Sequence, residues 1–273
     1  MELEAEGSFY HSLKQAIYDN RLELRFKPAF RAADGELAAV EAAMVWRNPE
    51  GGEMPMDEYR PLAERTGLLI PLTERFIQGA CRKLRNYQQY VDLRLKLVLK
   101  LTARQLDCGQ LADYILYICA ENKLSPSTLV FELQADDFPV SRQAVLGITK
   151  LRAAGAGLMY HGMPGDRLQM QLWQLPFTSF KLPKELASSM LGCSKERLIA
   201  ASFIEEAHQL DMDVTADGVM FREQAELFRY FGCDCIQGYL FGQAEAPHIM
   251  DLSALPLYSD LEPQIEARNV VPV

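Results

Sequence analysis

The sequence predicts an α/β protein folded as a TIM-like (β/α)8 barrel. Three observations carry that prediction. Strand-like apolar runs alternate with amphipathic helical stretches along most of the 273 residues, which is the order that builds parallel strands with helices packed outside them. A hairpin precedes this alternation, joined by Asp34-Gly35, so the first strand is expected to run antiparallel to its neighbour. No Pro/Ser-rich linker or charge block divides the chain, and α/β barrels commonly reach about 250 residues as one unit.

The elements follow in order. Residues 22–30 open as Leu-Glu-Leu-Arg-Phe, an alternation with the period of a strand, and residues 37–46 form the second arm of the hairpin. Further strands are expected at 95–101, 129–133, 157–160, 179–182, 213–216 and 235–239. Helices are expected near 57–66, 71–90, 108–122, 140–153, 166–174, 196–209 and 222–231. Residues 1–8 are polar and 255–273 hold prolines and charges without periodicity, so the domain is bounded as a flank at 1–8, a barrel at 9–250 and an extension at 251–273.

Composition excludes several classes of function. With 49% hydrophobic and 24% charged residues the chain is globular rather than disordered. A formal charge of −9 disfavours nucleic acid as a partner, because phosphate contacts need clustered Lys and Arg. There is no membrane segment of about 18 apolar residues, and the acidic opening Met1-Glu2-Leu3-Glu4 is unlike a signal peptide. The compartment expected is the cytoplasm. Six cysteines are scattered through apolar runs as buried thiols, and Cys233-Asp234-Cys235 is too tight for the usual zinc spacing. No cofactor is implied by composition.

In a barrel of this kind the chemistry sits at the carboxyl ends of strands. Those positions are Glu41, Lys100, Glu132, Tyr160 with His161, Lys181, Asp217 and Gln237. Several short motifs surround them. Phe26-Lys27-Pro28, Glu41-Ala42-Ala43-Met44-Val45-Trp46, Leu101-Thr102-Ala103-Arg104-Gln105-Leu106, the 177–181 strand, Ala216-Asp217-Gly218-Val219 and Gln237-Gly238-Tyr239-Leu240-Phe241 occur in that order. Together they resemble the EAL domain family, bacterial phosphodiesterases that hydrolyse cyclic di-GMP, over about residues 10–247. The resemblance implies a barrel with an antiparallel first strand and a divalent metal held by hard oxygen ligands at its mouth.

The resemblance is broken at the site. Glu41 and Glu132 stand where the family has metal-binding glutamates, but Lys100 replaces its ligand Asn and Tyr160-His161 replace its paired Asp-Asp. A further Glu becomes Ala135, another becomes Met220, and Asp217 is one methylene shorter than the Glu it replaces, a displacement of roughly 1 Å that can impair catalysis about a hundredfold. Val45 takes the place of the phosphate-contacting Arg, Ala43 that of a Leu, and the loop at 162–167 carries Pro164. Gln237, in a position associated with guanine recognition, remains. These departures imply a degenerate domain that is no enzyme and holds no metal, with Lys100 in salt-bridge reach of Glu41 or Glu132. The function expected is a regulatory domain in bacterial signalling that acts on an unidentified protein, with motility and RNA turnover as the pathways the resemblance suggests. The alternative is a receptor that binds cyclic di-GMP without cleaving it, favoured by Gln237, Glu41 and Trp46; with Val45 in place, binding is expected to be weak or absent. His161 reads as a satisfied rim histidine and Met159, Met163, Met170 and Met212 as core filler or an adaptable surface. His11, His208 and His248 lie in expected helices or the C-terminal segment.

Overall fold

The computed structural model of the chain describes residues 2–88, 95–134, 141–162 and 175–241. Among these described residues nine strands form one sheet: β1 (Glu23–Arg31), β2 (Leu37–Arg47), β3 (Glu53–Pro55), β4 (Lys96–Lys100), β5 (Leu129–Gln134), β6 (Gly157–His161), β7 (Ser179–Leu182), β8 (Asp213–Ala216) and β9 (Cys235–Gln237). Their order is β1-β9-β8-β7-β6-β5-β4-β2-β3, and the further β1–β2 pairing closes eight of them into a barrel. β3 is an outer strand on β2, which the sequence reading did not anticipate. From β2 through β9 the barrel neighbours run parallel, whereas β1 is antiparallel to both β2 and β9. The hairpin therefore reverses one strand of an otherwise regular barrel, as Asp34-Gly35 predicts. Gly35 takes a φ of 74° there, and Asp34 Oδ1 accepts a hydrogen bond from the Glu36 amide at 3.0 Å.

The helices are α1 (Glu2–Tyr18), α2 (Met56–Arg65), α3 (Leu69–Gln88), α4 (Ala103–Leu106), α5 (Leu111–Glu121), α6 (Arg142–Ala153), α7 (Lys184–Ser189), α8 (Ser194–Gln209) and α9 (Arg222–Tyr230). Helix α1 extends through the polar opening that the sequence reading set aside as a flank, and it seats Leu13, Ala16 and Ile17 in the core. The helix expected at 108–122 is α5, and a separate turn, α4, precedes it because Thr102 and Gln105 cap each other reciprocally. In α3 the buried Leu69, Leu72, Phe76, Ile77, Ala80 and Leu84 recur every three or four residues, the stripe of a helix laid on a sheet. The helix expected at 166–174 and the C-terminal extension at 251–273 lie outside the described residues. Among the described residues no helix is long and apolar enough to cross a membrane.

Alternation along each strand sorts side chains into two environments. Leu97, Leu99, Leu129, Phe131, Leu133 and Leu158 point outward into a core shared with the helices, and Phe180, Leu182, Val214, Ala216 and Ile236 do so on the other side. Their neighbours point into the lumen. Val98, Val130, Met159, Ser179, Thr215 and Cys235 line a cavity of about 1100 Å³ at the amino-terminal end of the barrel. Two residues further along the same strands stand Lys100, Glu132, His161, Lys181, Asp217 and Gln237, at the carboxyl-terminal mouth. Tyr160 corrects the sequence reading. It is on the outward face of β6, buried in a cluster where it stacks on Phe180 at 5.5 Å and meets Phe177 edge-on at 5.6 Å. A period of two cannot place adjacent residues both in the lumen, so the lumen pair on β6 is Met159 and His161.

Candidate functional site at the barrel mouth

Lys181 is the centre of the mouth. Its side chain, 3% exposed, donates to Glu41 Oε2 at 2.6 Å and to Glu132 Oε2 at 2.9 Å, and Asp217 Oδ2 lies 4.0 Å away. The other oxygen of Glu132 meets His161 Nδ1 at 2.8 Å. Burial works against the charge on Glu132, but the Lys181 ammonium and the His161 contact outweigh it and hold that carboxyl well below the usual range. Burial likewise opposes a charged Lys181, and the surrounding Glu132, Glu41 and Asp217 overcome it and raise its pKa. The ion pair keeps both groups charged in a site that water scarcely reaches.

A second pair closes the other side. Lys27 Nζ on β1 donates to Asp217 Oδ1 at 2.5 Å, and the Gly218 amide donates to the same oxygen at 2.7 Å. Despite burial, the cations Lys181 and Lys27 lower the pKa of Asp217. Two glycines set the backbone here. A Cβ on Gly218, whose φ is 74°, would strike Lys184, and one on Gly238 would run into the backbone of Val219. That close approach lets Leu240 N donate to Val219 O at 3.0 Å and holds Gln237, whose Nε2 donates to Lys27 O at 3.2 Å.

Lys100 is not where the sequence reading put it. Its ammonium donates to Asp57 Oδ2 at 2.6 Å, on the first turn of α2, and its paired residue is neither Glu41 nor Glu132. Lys181 already occupies both glutamates, so the outer carboxylate takes the outer lysine. Trp46 also departs from expectation. It is 1% exposed and sits edge-on to Phe9 at 5.7 Å and Tyr59 at 5.8 Å, so its ring belongs to the core and cannot stack on a base. Val45 and Ala43 alternate with that core and share the face of Glu41. Met220 stands on the rim, 48% exposed, and Phe221 and Tyr239 are exposed at 44% and 58%. Ala135 and residues 163–167 of the loop lie outside the described residues. Sequence reasoning assigned no role to Lys27 or Asp57; the hairpin register pairing Lys27 with Glu41 was the signal available for the first.

The carboxylates of the mouth are paired within the chain in this structure. Each of Glu41, Glu132 and Asp217 is already bound to an ammonium of the chain itself. Among the described residues no three of His, Cys, Asp and Glu come together as a ligand set. Of the six cysteines expected as buried thiols, Cys81, Cys119 and Cys233 are buried while Cys108, Cys193 and Cys235 are partly exposed, and burial pushes Cys235 and Cys81 up to about 12, away from thiolate chemistry.

Comparison with known proteins places these features. A family model described as the EAL domain matches residues 11–244. Over 235 residues the chain is 27% identical to the bifunctional diguanylate cyclase/cyclic di-GMP phosphodiesterase MucR of Pseudomonas aeruginosa, which covers 85% of the chain and 34% of the relative. It is 28% identical to the cyclic di-GMP phosphodiesterase NbdA of the same species, over 85% of the chain and 30% of the relative. The oxygen sensor protein DosP of Escherichia coli is also 28% identical, over 90% of the chain and 31% of its own length. The chain thus spans less than two thirds of each of these relatives. In fold it matches the MucR phosphodiesterase in complex with c-di-GMP (TM-score 0.79, 24% identity, 88% of the chain and 98% of that structure). It also matches the Xanthomonas citri FimX EAL domain in complex with c-di-GMP (TM-score 0.80, 16% identity, 89% and 95%).

These matches correct one expectation outright. The reading of the chain as no enzyme is overturned by relatives named as cyclic di-GMP phosphodiesterases that align over 85% of it. It rested on single replaced positions, whereas Glu41, Glu132, Lys181 and Asp217 still converge at the mouth.

Proposed function

Because the chain belongs to the EAL domain family, we propose that it serves in bacterial cyclic di-GMP signalling as a cytoplasmic regulatory domain that acts by contact with a protein. The observation that carries this reading is the rim. Met220, Phe221 and Tyr239 stand exposed on two segments tied together by the Val219–Gln237 and Leu240–Val219 backbone bonds. Large apolar side chains fixed on rigid backbone beside a neutralised mouth are suited to docking a protein surface. The overall charge of −9 favours a protein over nucleic acid.

A second reading has its own support. Lys27 and Lys100 face the mouth with their side chains 27% and 22% exposed, and Gln237 is held next to Lys27 by its bond to that residue's carbonyl. That arrangement suits the phosphates and a guanine edge of cyclic di-GMP. Calorimetric titration with cyclic di-GMP, with and without Mg, separates the two. With Val45 in place of a charge-assisted contact of about 1.5 to 3 kcal/mol, affinity in the micromolar range or weaker is expected. Submicromolar affinity at physiological salt would promote the ligand reading, and robust hydrolysis would make catalysis the primary role. For the docking surface, Met220→Glu with Phe221→Glu should abolish a partner's binding while leaving the cyclic di-GMP titration unchanged.

A further inference from the structure

The three lysines of the mouth are not equivalent. Lys181 is consumed by Glu41 and Glu132 and buried beneath them. Lys27 is clamped at 2.5 Å on Asp217, whose side chain is only 12% exposed. Lys100 alone has a loosely held partner: Asp57 is 54% exposed on its side chain, so the pair is screened by water and worth little. Asp57 also has a second cation, Arg60 at 2.8 Å on the same helix, and keeps a partner if Lys100 leaves. The lysine can depart at small cost.

Its position makes the departure useful. Lys100 is the register partner of Glu132 on the neighbouring parallel strand, about 4.8 Å away in the sheet, and alternation turns both toward the lumen. It therefore stands at the level where the resemblance puts a metal ligand, in a mouth whose carboxylates are already occupied by ammonium groups. A phosphodiester anion entering that mouth requires positive charge from somewhere. Resting on the reading that cyclic di-GMP binds here, we propose that Lys100 is the anion-recognition residue of the site. Its ammonium moves from Asp57 to a phosphodiester oxygen of the cyclic dinucleotide and supplies the neutralisation that a divalent cation would otherwise give. Recognition is then independent of metal and sensitive to salt.

The test is calorimetric titration of cyclic di-GMP into the full chain, in EDTA and in Mg, for the native protein and for Lys100→Gln, Lys100→Arg and Asp57→Asn. Affinity should be the same in both buffers within about twofold. Lys100→Gln should weaken it about ten- to a hundredfold, and Lys100→Arg should retain most of it. Asp57→Asn removes the competing carboxylate and should tighten binding several-fold, a gain that a misfolded variant cannot imitate. Binding that requires Mg and ignores Lys100→Gln overturns this inference while the ligand reading stands. Absence of binding by every variant in both buffers overturns the two together.

Discussion

Lys181 and Glu132 show how much one buried pair can decide. Replacing Lys181 by Met leaves Glu132, 1% exposed, and Glu41 without their shared cation, so the loss expected in urea unfolding is about 3 to 5 kcal/mol. Adding Glu132→Gln to that variant should recover part of it, because the uncompensated charge is then gone. The pH dependence has a definite sign. Glu132 and Asp217 have pKa values depressed in the folded state, so the stability they give is present above the ordinary carboxylate range and lost as pH falls through their folded values. Lys181 is raised, so its contribution is full below the ordinary lysine range and lost only as pH rises through its still higher folded value. Stability should be flat from about pH 5 to 9 and fall on the acid side; in Glu132→Gln the acid limb should be shallower, and an unchanged limb would assign the transition elsewhere. At this scale the sequence revealed which residues gather at the mouth and not how they pair. Glu41, Glu132, Lys181, Asp217 and Gln237 are legible from strand ends, but that Lys181 holds both glutamates while Lys100 turns to Asp57 depends on depth in the lumen, which no spacing encodes.

Strands and helices were more legible than side-chain orientation. Tyr160 and His161 stand together at the strand end where the resembled family has its paired Asp-Asp, yet one faces the core and the other the lumen; a four- or five-residue apolar strand carries too few polar residues to reveal its own phase. Helix α1 was missed for a related reason. Its first turns are acidic, and the seating of Leu13, Ala16 and Ile17 is visible only with the barrel beside them. Leu13→Ala and Ile17→Ala, both side chains at most 1% exposed, should each cost about 2 to 5 kcal/mol in chemical denaturation. The turn after β9 offers a sharper test. In Gly238→Ala the new methyl meets the Val219 backbone, so a loss of about 2 kcal/mol or more is expected, with weakened binding at the mouth because Gln237 shifts. A neutral thermal melt would show that the turn can give way.

For the whole molecule, closure of the barrel followed from the count of strand-like runs and the hairpin, since eight strands alternating with helices have few other ways to bury both faces. The strength of its seams did not. β1 meets β9 through only three residue pairs, Ala29 with Gln237, Phe30 with Ile236 and Arg31 with Cys235, whereas β5 and β6 share five. Hydrogen exchange should therefore show the β1–β9 amides opening well before those of β5 and β6, and equal protection would mean the barrel opens only globally.

That reversed first strand also dictates when the mouth comes into existence. The β1–β2 hairpin joins near neighbours and can form early, but Lys27 reaches Asp217 across 190 residues and Gln237 reaches back to Lys27 across 210. Closing so long a loop must be compensated by contacts that exist only once it is closed, which makes this seam a late and slow event in folding. An intermediate can hold its helices and most of its parallel ladder while having no assembled site. Whatever binds the mouth selects chains that have finished folding, and by bridging the two ends of the barrel it slows their unfolding as well.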